Sequence, residues 1–250
     1  MVKFYTQSYT YDYPFPTVTL AYFLRYPNPF STHVLSTDVI SRSFDAESQT
    51  LHTTRLHLKR SKLPTAVLNI LPRSLLGTSA SSGNDSQAYI LEHSAIDLRT
   101  GTMRTENRNL DWTGVLSVVE RQTYTASGAP LASDPESHTA VSTTVTLSSR
   151  LGQRFKRRPT AAAPDADEDS ASKLGFFKSW SQASIQRSIE AIGLKRASKS
   201  QPNAKEGMKH VLERLRSGGL GAVLEEMRRL QREGQGFGFI CWSHGWLRRV

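Results

Sequence analysis

A single cysteine, Cys241, in 250 residues excludes an intrachain disulfide framework and any zinc site built on several cysteines. Long apolar runs are also missing. Spanning a bilayer takes roughly 20 apolar residues, and the best stretch, Leu63 to Leu76, is interrupted by Pro64, Asn69, Pro72 and Arg73. The opening Met1-Val2-Lys3-Phe4-Tyr5 has the layout of neither a secretory signal nor a transit peptide, so the expectation is a soluble protein without a cleaved address. Catalytic signatures are lacking too: there is no Gly-x-Ser-x-Gly elbow, no His-Glu-x-x-His helix and no Gly-rich phosphate loop. The seven histidines show no ligand spacing, and carboxylates such as Asp111 and Glu120 read as surface or strand residues rather than an acid/base pair. These absences speak against an enzyme and against a resident cofactor or metal.

What is present is positive charge. The chain carries a formal +10, unevenly spread: residues 1–150 hold 13 Lys+Arg against 12 Asp+Glu, and residues 151–250 hold 19 against 10. A basic C-terminal part implies an anionic partner, but sign alone does not choose among nucleic acid, membrane and acidic protein.

The hydrophobic period is two over a long stretch. Strands are predicted over Lys3–Tyr11, His33–Phe44, Thr50–Lys59, Gln87–Leu98, Thr102–Asp111, Val115–Thr125 and His138–Ser149, mostly with hairpin-length connections. Within the third, Leu51, Thr53, Arg55, His57 and Lys59 alternate with His52, Thr54, Leu56 and Leu58, so its two faces differ. A short helix opens after Tyr13-Pro14, with Phe15, Val18, Tyr22 and Phe23 near helical spacing, and Pro27 ends it. Residues 60–86 form a longer excursion of the kind that serves as lid or binding loop. Residues 154–172 turn from Arg/Lys to Pro/Ala to Asp/Glu and read as a disordered insertion. Helical spacing resumes over Phe176–Ala191 and Lys205–Leu215, with another turn over Glu225–Gln231. The pattern is α+β: one antiparallel meander with an early helix and a long C-terminal helix, enclosing a volume suited to an apolar ligand.

Several short motifs then add to that pattern. Arg25-Tyr26-Pro27-Asn28-Pro29 followed by His33-Val34-Leu35, Thr53-Thr54-Arg55-Leu56, Lys62-Leu63-Pro64, Asn107-Arg108-Asn109-Leu110 and Trp180-Ser181 resemble, in order and spacing, the PRELI-domain family. The likeness covers residues 1–153 and 173–216 as one lipid-transfer domain, leaving 217–250 as a C-terminal extension. The resemblance implies a curved seven-stranded sheet around helices, similar to START domains. It also implies transport of a phospholipid across the mitochondrial intermembrane space. With its Arg-Tyr-Pro-Asn-Pro run and the basic run after the third strand, the chain resembles the subgroup that carries phosphatidic acid as the transported ligand and supplies cardiolipin synthesis, the sister subgroup's cargo being phosphatidylserine. The implied partners are a small helper protein with twin Cys-x-nine-Cys motifs and anionic mitochondrial membranes, with no nucleic acid.

The same resemblance suggests site residues. Arg25 would meet the headgroup at the pocket floor with His33 close by, and Arg55 joins them from its motif. Arginine suits a phosphate because it contacts two oxygens at once, although an arginine closing a helix favours the dipole in any case. Lys59 and Lys62 match family lysines at the pocket mouth, and Arg60 completes the cluster, which could equally be a solvated face. The lid would run from Leu63 to Leu76, with Leu63, Val67, Leu68, Ile70 and Leu71 dipping into a bilayer or packing on the core. On the C-terminal helix the family's basic and Asn positions fall near Ser184, Ser188 and Ala191, leaving Arg187 as the closest cation. The competing class is a basic module binding nucleic acid, stacking bases on Tyr22, Tyr89 and Trp112, or one binding a membrane surface without extracting lipid.

Overall fold

The structure, a computed structural model, describes residues 2–62, 85–113, 115–128, 137–149 and 182–234, with backbone only at 61, 62, 85, 86, 182–186 and 234. The lid residues Leu63, Val67, Leu68, Ile70 and Leu71, the 154–172 insertion and Trp180-Ser181 lie outside the described residues.

Seven strands form one sheet: β1 (Val2–Tyr11), β2 (Val34–Asp45), β3 (Thr50–Lys62), β4 (Asp85–Asp97), β5 (Thr102–Asn109), β6 (Ser117–Ala126) and β7 (Thr139–Ser148). The spatial order is β1-β7-β6-β5-β4-β3-β2, antiparallel at every step. The expected meander therefore runs from β2 to β7, and β1 closes it beyond β7. Among the described residues, two helices cover the inner face. The first, α1 (Phe15–Phe23), starts after Pro14, where a missing N–H costs nothing, and buries Phe15, Val18, Ala21 and Tyr22. The second, α2 (Gln182–Gly234), runs continuously through Pro202 and breaks at Gly219. There φ is 66°, left-handed backbone that favours glycine.

Alternation gives each strand one inward face, and that face is not uniform along the strands. At one end Ile96, Met103, Tyr124, Val141 and Tyr11 pack with α1 and with Met208, Val211 and Leu212 of α2 as a dry core. Towards the other end the inward Lys59, Ile90, Val118 and Glu120 are only half-buried. The stretch beyond Gly219 folds back to bury Val223 in that core. No helix among the described residues is long and apolar enough to cross a membrane.

Candidate functional site

Between the dry core and the half-buried end of the inner face lies a buried set of charges. β3 and β4 pair so that Arg55 stands directly opposite Glu92. Both point inward, as does His57 two residues along β3. Arg25 arrives from the end of α1. Glu92, 0% exposed, is the hub. Its Oε1 accepts from Arg55 Nε at 2.7 Å; its Oε2 accepts from Arg25 Nη2 at 2.6 Å and lies 3.1 Å from His57 Nε2. Burial by itself pushes the Glu92 carboxyl up. Arg25, the hydrogen bond from His57 and Arg55 outweigh burial and hold it well below the usual carboxylate range.

The two arginines differ in how much they have left to give. Arg55 is 3% exposed and also donates from Nη1 to the Phe23 carbonyl at 3.1 Å and from Nη2 to the Tyr22 carbonyl at 3.5 Å. It thereby satisfies carbonyls at the end of α1 and ties that helix to the sheet. Arg25 is 15% exposed and sits over the rings of Tyr22 (4.0 Å) and Tyr26 (4.8 Å). Its Nε is buried and has no hydrogen-bond partner among the described residues. Arg25 has a spare donor; Arg55 is a strut.

The motif around Arg25 explains its placement. Asn28 donates from Nδ2 to the Arg25 carbonyl and accepts at Oδ1 from the Phe30 amide at 2.8 Å, which caps a 3-10 turn at Pro29–Ser31. Helix α2 presses on Asn28 at Gly207, where a Cβ would meet Asn28 Oδ1 at 2.9 Å. The second aromatic, Tyr26, packs edge-on against His57 with ring centres 5.5 Å apart. His57 is 1% exposed, with Nδ1 2.9 Å from Thr37 Oγ1 on β2. Burial pushes this imidazole down, Glu92 opposes that only in part, and Arg25 and Arg55 push the same way as burial.

A polar row continues across the sheet. Register places Asn107 opposite Glu92 and Glu120 opposite Asn107. Asn107 Oδ1 is buried without a partner among the described residues, while Glu120 Oε1 accepts from Gln122 (2.9 Å) and from Gln201 of α2 (3.2 Å).

The residues singled out from sequence fall into separate places. Arg25 and Arg55 come together on Glu92. His33 is exposed, and its carbonyl accepts from the Arg60 amide at 2.7 Å. Its neighbour across the ladder is Lys59, opposite Val34. Partial burial, then the charges of Lys59 and Arg196, hold the His33 imidazole below its ordinary value. His33 thus lies within reach of the charges of Lys59 and of Arg196 on α2. Arg60 is exposed and has the outward parity of β3. Lys62 pairs through its backbone with Asp85, and its side chain lies outside the described residues. Arg187 is exposed on α2. Glu92, His57 and Arg196 were not flagged from sequence. Tyr22, offered above as a base-stacking aromatic, is 0% exposed and has no free face for a base.

A model of the PRELI-like family matches residues 16–159, more than half of the chain. The chain belongs to this family. Among curated relatives, Protein UPS1, mitochondrial, of Saccharomyces cerevisiae is 41% identical over 124 residues, covering 50% of this chain and 64% of its own. The ups1 homolog of Schizosaccharomyces pombe is 37% identical over 111 residues, covering 44% of this chain and 57% of its own. Protein UPS2, mitochondrial, of S. cerevisiae is 29% identical over 123 residues, covering 49% of each. The chain thus spans about half to two thirds of the length of these relatives. Among solved structures, a Streptomyces aromatase/cyclase aligns over 88% of this chain and 99% of its own with 12% identity and a TM-score of 0.42.

Proposed function

We propose that this chain carries phosphatidic acid, one molecule at a time, between the outer and inner mitochondrial membranes and so supplies cardiolipin synthesis. It acts in the intermembrane space as a carrier rather than a catalyst, with the lipid as its only ligand and no cofactor. Moving a diacyl lipid through water exposes its methylenes at about 0.8 kcal/mol each, on the order of 20 kcal/mol in all. A hollow between sheet and helix would remove most of that cost, and the half-buried end of the inner face is where it would lie.

The observation that carries this reading is Arg25: a cation in the interior of a PRELI-family fold, with a buried donor unspent and a face still 15% exposed. An anionic headgroup at that depth needs such a partner, because an unpaired buried charge is very costly. Arg55 belongs to the headgroup site through Glu92, and His33, Lys59 and Lys62 would receive the lipid at the rim with Arg187 further along α2. The lid residues Leu63, Val67, Leu68, Ile70 and Leu71 would enter the bilayer to admit it. Relatives named mitochondrial support the organelle. The partner is a small twin Cys-x-nine-Cys helper, an expectation that rests on family resemblance alone.

The test is movement of fluorescent phosphatidic acid from donor to acceptor liposomes, repeated with phosphatidylserine. Arg25→Gln is the variant to use. Arg25→Glu would set a second carboxylate against Glu92 and confound transfer with folding. We expect phosphatidic acid to move and Arg25→Gln to slow it at least tenfold, with circular dichroism unchanged. Preferential movement of phosphatidylserine would transfer the reading to that cargo. Liposome binding without movement of either lipid would overturn it.

A further inference from the structure

We infer that His57 takes up one proton when a phosphomonoester enters beside Arg25, so that loading of a dianionic headgroup is coupled to protonation of the protein. The inference rests on the proposed headgroup role of Arg25 and concerns what the rest of the cluster does when that site fills.

The argument begins with charge. Glu92 contributes one negative charge, and Arg25 and Arg55 one positive charge each. With His57 neutral the set carries a single net positive charge. That balances a monoanionic phosphodiester. A phosphomonoester that has lost both protons brings one negative charge more, and a buried excess charge is either neutralised or excluded. The group placed to neutralise it is His57, whose Nε2 and the Nη2 of Arg25 meet the same oxygen, Oε2 of Glu92.

The surroundings of His57 suit both of its states. In the neutral ring, Nε2–H donates to Glu92 and Nδ1 accepts from the Thr37 hydroxyl. In the charged ring, Nδ1–H donates and the same hydroxyl, turned, accepts, because a threonine oxygen serves either role. No heavy atom needs to move. Among the described residues, the charged and titratable groups against the ring are Glu92 on β4, Arg55 on β3, Arg25 after α1 and the Tyr26 phenol. In the empty site the two arginines and burial keep the ring neutral. A dianion against Arg25 screens that cation and reverses the preference. The proton comes from solvent, bonds to Nδ1, and returns to solvent when the lipid leaves.

The experiment is nitrogen NMR of the full chain labelled at histidine, with His57→Gln to identify the ring. Spectra are taken near pH 7 lipid-free, with dioleoyl phosphatidic acid and with dioleoyl phosphatidylserine. We expect one protonated ring nitrogen lipid-free and with phosphatidylserine, and two with phosphatidic acid. Thr37→Val, a milder change on an edge strand, is expected to weaken the second protonation. A ring that stays neutral with phosphatidic acid bound would overturn the inference and leave the carrier reading standing, since the proton then stays on the lipid. A ring already doubly protonated in the empty protein would also overturn it. Failure of both lipids to load would remove the carrier reading, and this inference with it.

Discussion

Arg55 and Glu92 face each other across the β3–β4 ladder as direct register partners, 2.7 Å apart from Nε to Oε1, and neither is more than 3% exposed. The pair does two jobs at once: Arg55 closes the end of α1, and Glu92 holds Arg25. Buried ion pairs add little net stability as pairs, but breaking one leaves a charge without its partner. Glu92→Gln is therefore expected to cost about 3–5 kcal/mol. The double change Arg55→Met with Glu92→Met should cost less than the two single changes added. Urea unfolding of wild type, Arg55→Met, Glu92→Met and the double variant, with Glu92→Gln measured beside them, checks this, and strict additivity would show that the pair is not coupled.

Half of this cluster was visible in the sequence. Period-two alternation on β3 already placed Arg55, His57 and Lys59 on one face, and the Arg-Tyr-Pro-Asn-Pro run marked Arg25. Glu92 carried no local signal. It sits between Leu91 and His93 in an ordinary strand, 67 residues from Arg25 and 37 from Arg55, and acquires meaning only from register. Arg196 is similar, since its nearness to His33 depends on how α2 crosses the sheet. The strands were legible because alternation and turn residues are local. The position of β1 beyond β7 was not, because no hairpin joins them. The three helical stretches were read separately across Pro202, where the structure keeps α2 continuous and breaks it only at Gly219.

Acid should destabilise the protein in two stages. His57 in the folded chain titrates below its ordinary 6.5, so under that pH the unfolded chain binds a proton that the folded chain does not. Stability from this group is complete above about 6.5 and is lost as pH falls through the folded value. Glu92, held below its ordinary 4.5, adds a second loss below that point. His33 shifts the same way, so the variant His57→Gln separates the two histidines. Unfolding free energy measured against pH should be flatter for His57→Gln between about 6.5 and 4.5, with the fall below 4.5 retained. An unchanged slope in the upper window would contradict the assignment.

Gly207 supports Arg25 from a distance. A methyl group there would sit 2.9 Å from Asn28 Oδ1 and push aside the side chain that holds the Arg25 carbonyl and the Phe30 amide. Gly207→Ala is expected to cost about 1–3 kcal/mol, the range for overpacking a tight contact. It should also slow lipid transfer although it touches no ligand. In an Asn28→Ala background the crowding disappears, so the same methyl should cost little. Equal costs in both backgrounds would place the effect elsewhere.

The stretch of α2 beyond Gly219 is held to the stretch before it by one carboxylate. Glu226 accepts from Arg214 Nε at 2.6 Å and lies 3.0 Å from His210 Nε2, while Val223 inserts into the core and Met227 packs against it. Burial alone would raise the Glu226 carboxyl, but these two partners hold it below its ordinary value. Glu226→Ala removes both anchors and, among the described residues, leaves the apolar contacts of Val223 and Met227. Amide exchange at 220–234 should then quicken several-fold while the strands keep their protection, because Arg55 and Glu92 fix the sheet and α1 independently. Loosening that spread into β3 and β4 would mean that the returning helix supports the ion cluster as well as the core.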